Sequence, residues 1–219
     1  MLNQHTAVSL SELKLSENSE VNYFIPVKHT LAHTEEAFEL LKPETDLERA
    51  FLEDEDFLAG LFWGKPRFGH PEGEVVYHIR EVLDNVEKLD INTEMRRQLR
   101  IITFVHDTFK HIEDRSRPRD WSRHHAALAA NFLAKYTDEK ILLDVTALHD
   151  EAYYAWRAIH LYDKEESGKK RMQDLIETVG NDLQLYYLFF KCDTQTGDKV
   201  QAPVRWFEET VKGIEVMKF

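Results

Sequence analysis

The apolar positions of this chain recur at spacings of three and four, and imidazole and carboxylate groups occupy the same stripes. Val75, Ile79, Val82, Val86 and Leu89 form one such stripe, and His78 lies three residues after Val75 and four before Val82. His106 falls between Ile102 and Phe109, and His125 between Trp121 and the pair Leu128-Ala129. His149 lies four after Val145 and three before Ala152, and Asp193 three after Phe190. Residues three and four apart share one face of a helix. These groups are therefore expected to face inward, with Asp107 following His106 at a helix end. A charged or imidazole group in a core is costly unless something satisfies it. A lone histidine on an apolar face is usually a hydrogen-bonded core residue. Several such groups on separate helices point instead to one or two shared metal ions. His124 competes with His125 as a ligand, but its helix-face neighbours Asp120 and Asn131 are more polar, which favours His125.

The periodicity predicts an all-α fold, an orthogonal helical bundle with no convincing strand alternation and no internal repeat. The heptad pattern never persists, so a coiled coil is not expected. Met1 to about Ser19 reads as a polar arm, and Val21 to Val27 as a short β-like stretch interrupted by Pro26. Helical periodicity begins at Leu31. Asp46 is a candidate cap for a helix running towards Leu61. Residues 64–73 hold three glycines and two prolines and read as a loop. Further helices are expected over Glu74–Leu89 and Thr93–Phe109, and from near Arg119 through Tyr136. Another runs from Asp138 through Ala152, and one more follows Gly168 and stops before Gly180. Asn181 or Asp182 would cap an aromatic-rich helix through Phe190, and a last helix follows Pro203. The division is an arm and helix over 1–45 and a metal-dependent helical domain over 46–219.

Composition narrows the partners. The 219 residues include 40 acidic and 28 basic side chains, for a net charge of −12. That argues against a nucleic-acid polymer or an anionic membrane, both of which reward a broad basic face. A small anionic substrate stays open, because a metal or a local cluster can override the global sign. The single cysteine, Cys192, rules out an internal disulfide and a thiolate zinc site, so any metal must take nitrogen and oxygen ligands. The amino terminus carries no basic segment followed by an apolar run, and Leu185–Phe190 is far too short to span a bilayer. A cytoplasmic setting is the default, and a homo-oligomer is compatible with the sequence.

Cations cluster beside the histidines. Lys110 lies one turn beyond His106, and Arg115, Arg117, Arg119 and Arg123 crowd nine residues of an otherwise acidic chain. They could fork onto phosphate oxygens or make surface ion pairs with Asp114 and Asp120. Arg80 is expected on the solvated face, and Tyr77 and Trp121 as packing residues. In the loop, Arg67, His70 and Glu72 could reach the mouth of a site before the helix bearing His78, or the loop could be a plain connector. His111, Glu113 and Asp114 could stand behind the metal ligands or carry protons.

The order of a histidine on one helix, His-Asp at the end of the next and a distant aspartate resembles the HD-domain superfamily of metal-dependent phosphohydrolases. The matching residues are His78, His106-Asp107 and Asp193. The segment His106-Asp107-Thr108-Phe109-Lys110 is similar to that family's His-Asp-x-x-Lys form, and His125 and His149 match the extra histidines of its dinuclear branch. The resemblance covers roughly residues 72–199. It implies one or two divalent ions (iron, manganese, cobalt, nickel, zinc or magnesium), with Asp107 bridging where there are two. It implies hydrolysis of a small phosphomonoester or nucleotide by a metal-bound hydroxide. Asp107 and Lys110 would be catalytic, and Lys110, Arg115, Arg119, Arg123 and Arg67 would meet the substrate. Other proteins of this wider fold use the same ligand set for a di-iron centre that oxidises a hydroxylated carbon. A third reading is a nucleotide-binding module without turnover.

Overall fold

The computed structural model describes residues 31–218. The polar arm and the β-like stretch expected before Leu31 lie outside that range. Eleven α-helices make up the described fold, with no strand among the described residues. They are α1 (Leu31–Leu41), α2 (Asp46–Leu52), α3 (Glu55–Leu61), α4 (Val75–Val86), α5 (Thr93–Val105) and α6 (His125–Leu133), then α7 (Lys140–Leu148), α8 (Glu151–His160), α9 (Glu165–Val179), α10 (Leu183–Thr194) and α11 (Ala202–Thr210). Short 3-10 turns cover Thr108–Ile112, Trp121–Arg123 and Gly180–Asp182. The fold class is all-α. Among the described residues, no helix is long and apolar enough to cross a membrane.

Most expected helices form, and the differences sit at their ends. The stretch from Asp46 to Leu61 is two helices. Thr45, not Asp46, caps the first through a box in which its hydroxyl accepts from the Glu48 N–H while the Glu48 carboxylate accepts from the Thr45 N–H. Asp54 caps the second. The helix expected from Arg119 begins only at His125. The helix expected from Asp138 through Ala152 breaks after Leu148, and no side chain caps its start. Gly168, taken as a boundary, lies inside α9, where a Cβ would come within 2.7 Å of the Ala155 carbonyl oxygen.

One core joins these elements. Helix α10 packs against both α4 and α5, α1 lies on α4, α6 on α7, and α8 on α9. Phe51, Phe57, Phe104 and Phe132 form an aromatic cluster between α2, α3, α5 and α6, with Tyr136 edge-on to Phe51. Helix α3 approaches the backbone of the turn after Asp107 so closely that a Cβ on Gly60 would fall 1.7 Å from the Thr108 carbonyl oxygen. Only glycine fits there. A buried ion pair locks α2 to α5: Arg100 donates to Glu48 at 2.8 and 3.1 Å, with Glu48 fully buried.

Candidate metal centre

His106 and His149 reach the centre by the same local route. Each is the C-cap residue that ends a helix, α5 or α7, and each is followed by an aspartate that opens the next turn. The sequence around them repeats as Thr103-x-x-His106-Asp107 and Thr146-x-x-His149-Asp150. His106 Nδ1 lies 2.9 Å from the Thr103 carbonyl oxygen, and His149 Nδ1 lies 2.8 Å from that of Thr146. A carbonyl only accepts, so Nδ1 carries the proton and Nε2 presents a lone pair. Phe189 of α10 lies edge-on to both rings, with centroids 5.1 and 6.1 Å away, and closes the floor of the site.

The other two imidazoles have carboxylates behind them. His78, at the end of the first turn of α4, places Nδ1 3.3 Å from Glu72 and 3.4 Å from the Thr196 hydroxyl. His125, at the start of α6, places Nδ1 3.4 Å from Glu113. A carboxylate behind a ligating histidine fixes the ring and raises its basicity.

Two sets of donors converge on either side of Asp107. On one side His78 Nε2 and His106 Nε2 stand 3.3 Å apart, each 3.5 Å from Asp107 Oδ2, with Asp193 Oδ1 at 2.9 and 3.7 Å. On the other side His125 Nε2 and His149 Nε2 also stand 3.3 Å apart. Asp107 Oδ1 lies 3.4 and 3.6 Å from them, and Asp150 Oδ2 3.3 and 3.8 Å. Donor atoms spaced this way suit a common centre about 2.0–2.2 Å from each. Lone pairs aimed at one another in a buried site need a cation between them, so the donor set fits one or two metal ions. The nitrogen and oxygen donors are compatible with iron, manganese, cobalt, nickel, zinc or magnesium.

The electrostatics show how strongly positive charge is wanted here. Burial disfavours the charged form of His125, but hydrogen bonds to Asp107, Asp150 and Glu113 raise its pKa to about 10. Burial and Lys199 act the same way on His78, and hydrogen bonds to Asp193 and Glu72 outweigh them, so its pKa rises. Burial pushes the Asp107 carboxyl up, yet the charges of Lys110 and His106 and hydrogen bonds from His125 and His149 hold it well below the usual range. Asp193 is likewise held low against its burial, by Lys199, His106 and His78. Lys110 pairs closely with Asp107 Oδ2, and Lys199 Nζ lies 2.8 Å from Asp193 Oδ1.

All six residues read from the sequence as ligands meet at this centre. His124 does not present a free nitrogen to it. Its Nδ1 accepts from the Ala126 N–H at 3.2 Å, and its Nε2 lies 2.8 Å from the Tyr154 hydroxyl. The arginines stand apart from the cavity of about 430 Å³ that opens onto the centre. None of Arg67, Arg115, Arg119 and Arg123 is among its lining residues. Arg115 and Arg119 pair with Glu113, Arg123 with Asp114, and Arg67 with a carbonyl of its own loop. Arg80 is half-buried against the Leu40 carbonyl and Asp84 rather than solvated. Tyr77 and Trp121 are both exposed, although Trp121 still packs against His124, Tyr154 and Arg171. His70 bonds to Glu72 at 2.9 Å and lines the cavity, so the loop does reach the site.

Sequence reasoning missed Asp150, which mirrors Asp193, and Lys199, which mirrors Lys110. The repeated Thr-x-x-His-Asp would have pointed to Asp150. Nothing in the local sequence singles out Lys199.

Comparison with protein-family models, with curated proteins and with solved structures returned no match. Fold and site together define an all-α protein with a buried histidine–aspartate cluster that could hold metal ions.

Proposed function

We propose that this chain is a metal-dependent phosphohydrolase of the HD-domain type, acting on a small phosphate monoester. The observation that carries the reading is the placement of Asp107 between two histidine pairs, with one carboxylate oxygen turned to each. When bound, divalent ions there supply Lewis acidity and bring the pKa of a water from near 16 to about 7. The chain's own residues do the rest. Thr103 and Thr146 carbonyls hold His106 and His149 with Nε2 inward, and Glu72 and Glu113 stand 3.3 and 3.4 Å behind His78 and His125. Lys110 and Lys199 bring two ammonium groups to the cavity end nearest the cluster, where charge on phosphoryl oxygens would need cations.

Phosphate release from a panel of monoesters, measured beside oxygen consumption, tests this reading. Metal-dependent phosphate release without oxygen uptake is expected. Oxygen uptake with no phosphate would move the same ligand set to di-iron oxygenase chemistry, and binding without either would leave a non-catalytic module.

A further inference from the structure

The cavity beside the cluster is ionic at one end and apolar over most of its wall. Its volume of about 430 Å³ falls within the range of small-molecule sites. Lys110 and Lys199 mark the ionic end, where they stand beside Asp107, Asp150 and Asp193 and pair with the first and last of these. Tyr153 and Trp156, one turn apart on α8, present rings only 13° from parallel, with centroids 6.3 Å apart. Leu161 and Val200 continue the wall, and Phe68 reaches it from the glycine-rich loop before α4.

Exposure singles out this cavity. Ten large hydrophobic side chains are exposed among the described residues, and four of them, Phe68, Tyr153, Leu161 and Val200, line it. Phe68 is 79% exposed. Apolar side chains left in water around a single cavity mark a ligand surface rather than a packing error. Beyond the charged groups, the wall of Phe68, Tyr153, Trp156, Leu161, Val200 and Pro203 offers only the Tyr153 hydroxyl and the Trp156 N–H as side-chain hydrogen-bonding groups. A polyhydroxylated body would lose its hydration there without recovering partners, which disfavours sugar phosphates. A flat ring would stack instead.

We propose that the cavity takes a phosphate monoester with an aromatic body, an aryl phosphate. The phosphate meets Lys110 and Lys199, and the ring lies against Tyr153, Trp156 and Phe68. The proposal rests on the phosphohydrolase reading for the fate of the ester, but not for its binding. In the reaction the water oxygen bonds to phosphorus as the phosphorus–oxygen bond to the aryl group breaks. The aryl alcohol leaves with one proton of the water, and inorganic phosphate keeps the other.

Phenylphosphonate and methylphosphonate share a headgroup and resist hydrolysis. Their binding to the protein, with and without manganese, is measured by titration calorimetry. Release of phosphate from 1-naphthyl phosphate and from glycerol 1-phosphate is measured alongside. Phenylphosphonate should bind at least about tenfold more tightly than methylphosphonate. Tyr153→Ala should weaken it roughly fivefold or more, as loss of a stacking ring does elsewhere, while Trp156→Phe, which keeps a ring, should retain most of the affinity. Equal binding of the two phosphonates, no binding of either, or indifference to Tyr153→Ala would overturn the assignment. Glycerol 1-phosphate turned over as fast as 1-naphthyl phosphate would uphold the hydrolase and overturn the aryl preference. Ring-dependent binding with no phosphate released from either ester would uphold the cavity assignment and remove the hydrolase.

Discussion

Tyr186 and His149 are tied across two helices: the Tyr186 hydroxyl lies 3.2 Å from the His149 carbonyl oxygen and 3.1 Å from that of Leu148, and accepts from the Ala152 N–H at 3.1 Å. The clasp spans the break between α7 and α8, where the chain must turn to present His149 and Asp150. Tyr186→Phe keeps the ring and leaves those buried backbone groups unpaired, at a cost of about 1–3 kcal/mol. Urea unfolding should show that loss. Metal titration should show weaker binding on the His125–His149 side and little change on the His78–His106 side. Unchanged binding on both sides would mean that helix packing alone sets the break.

The neighbouring histidines make a second prediction. His125 turns Nε2 into the centre, whereas His124 has both nitrogens engaged by Ala126 and Tyr154. His125→Ala should lower the metal content, and His124→Ala should leave it intact while slightly loosening the start of α6. Metal analysis of the two purified variants separates them. The reverse pattern would reassign the ligand.

Stability away from the site depends on Arg100. Glu48→Gln removes the carboxylate that it meets in the core, and breaking a buried pair typically costs about 3–5 kcal/mol. Glu44 and Glu87, 3.2 and 3.4 Å from Arg100, should hold the loss to the lower end. Denaturant melts give the number, and a loss below about 1 kcal/mol would show that these two carboxylates replace Glu48.

Acid should weaken the same corner. A hydrogen bond from Arg96 holds the Glu44 carboxyl below its usual 4.5, against a smaller opposing effect of burial. A lowered carboxylate stabilises the fold above its unfolded pKa, and that contribution is lost as pH falls through the folded value. The stability gap between the native chain and Arg96→Gln should therefore be full at neutral pH and shrink as pH falls below the usual 4.5 of Glu44. A gap that persists in strong acid would assign the effect to packing of the arginine stem.

The helices were readable because their apolar stripes are long and regular, as in Val75 to Leu89. The ligands were readable because a histidine on such a stripe is conspicuous. The helix ends were not: Leu142, Val145 and Ala152 keep one period straight through a break that a tertiary hydroxyl, Tyr186, holds open. The arginine cluster misled for a similar reason. Charge density along the chain says nothing of direction, and Arg115 and Arg119 turn to Glu113 behind His125 instead of into the cavity. Lys199 had no sequence signal, since its role comes from a fold that brings the segment after α10 back over Asp193.

The most direct test is the metal content of the purified protein, read by elemental analysis after expression in metal-replete medium. The wild-type chain should carry one or two transition-metal ions. Asp107→Ala, still folded by circular dichroism, should carry none or a small fraction of that. A metal-free wild type, or an Asp107→Ala variant with the full complement, would contradict a centre built around Asp107.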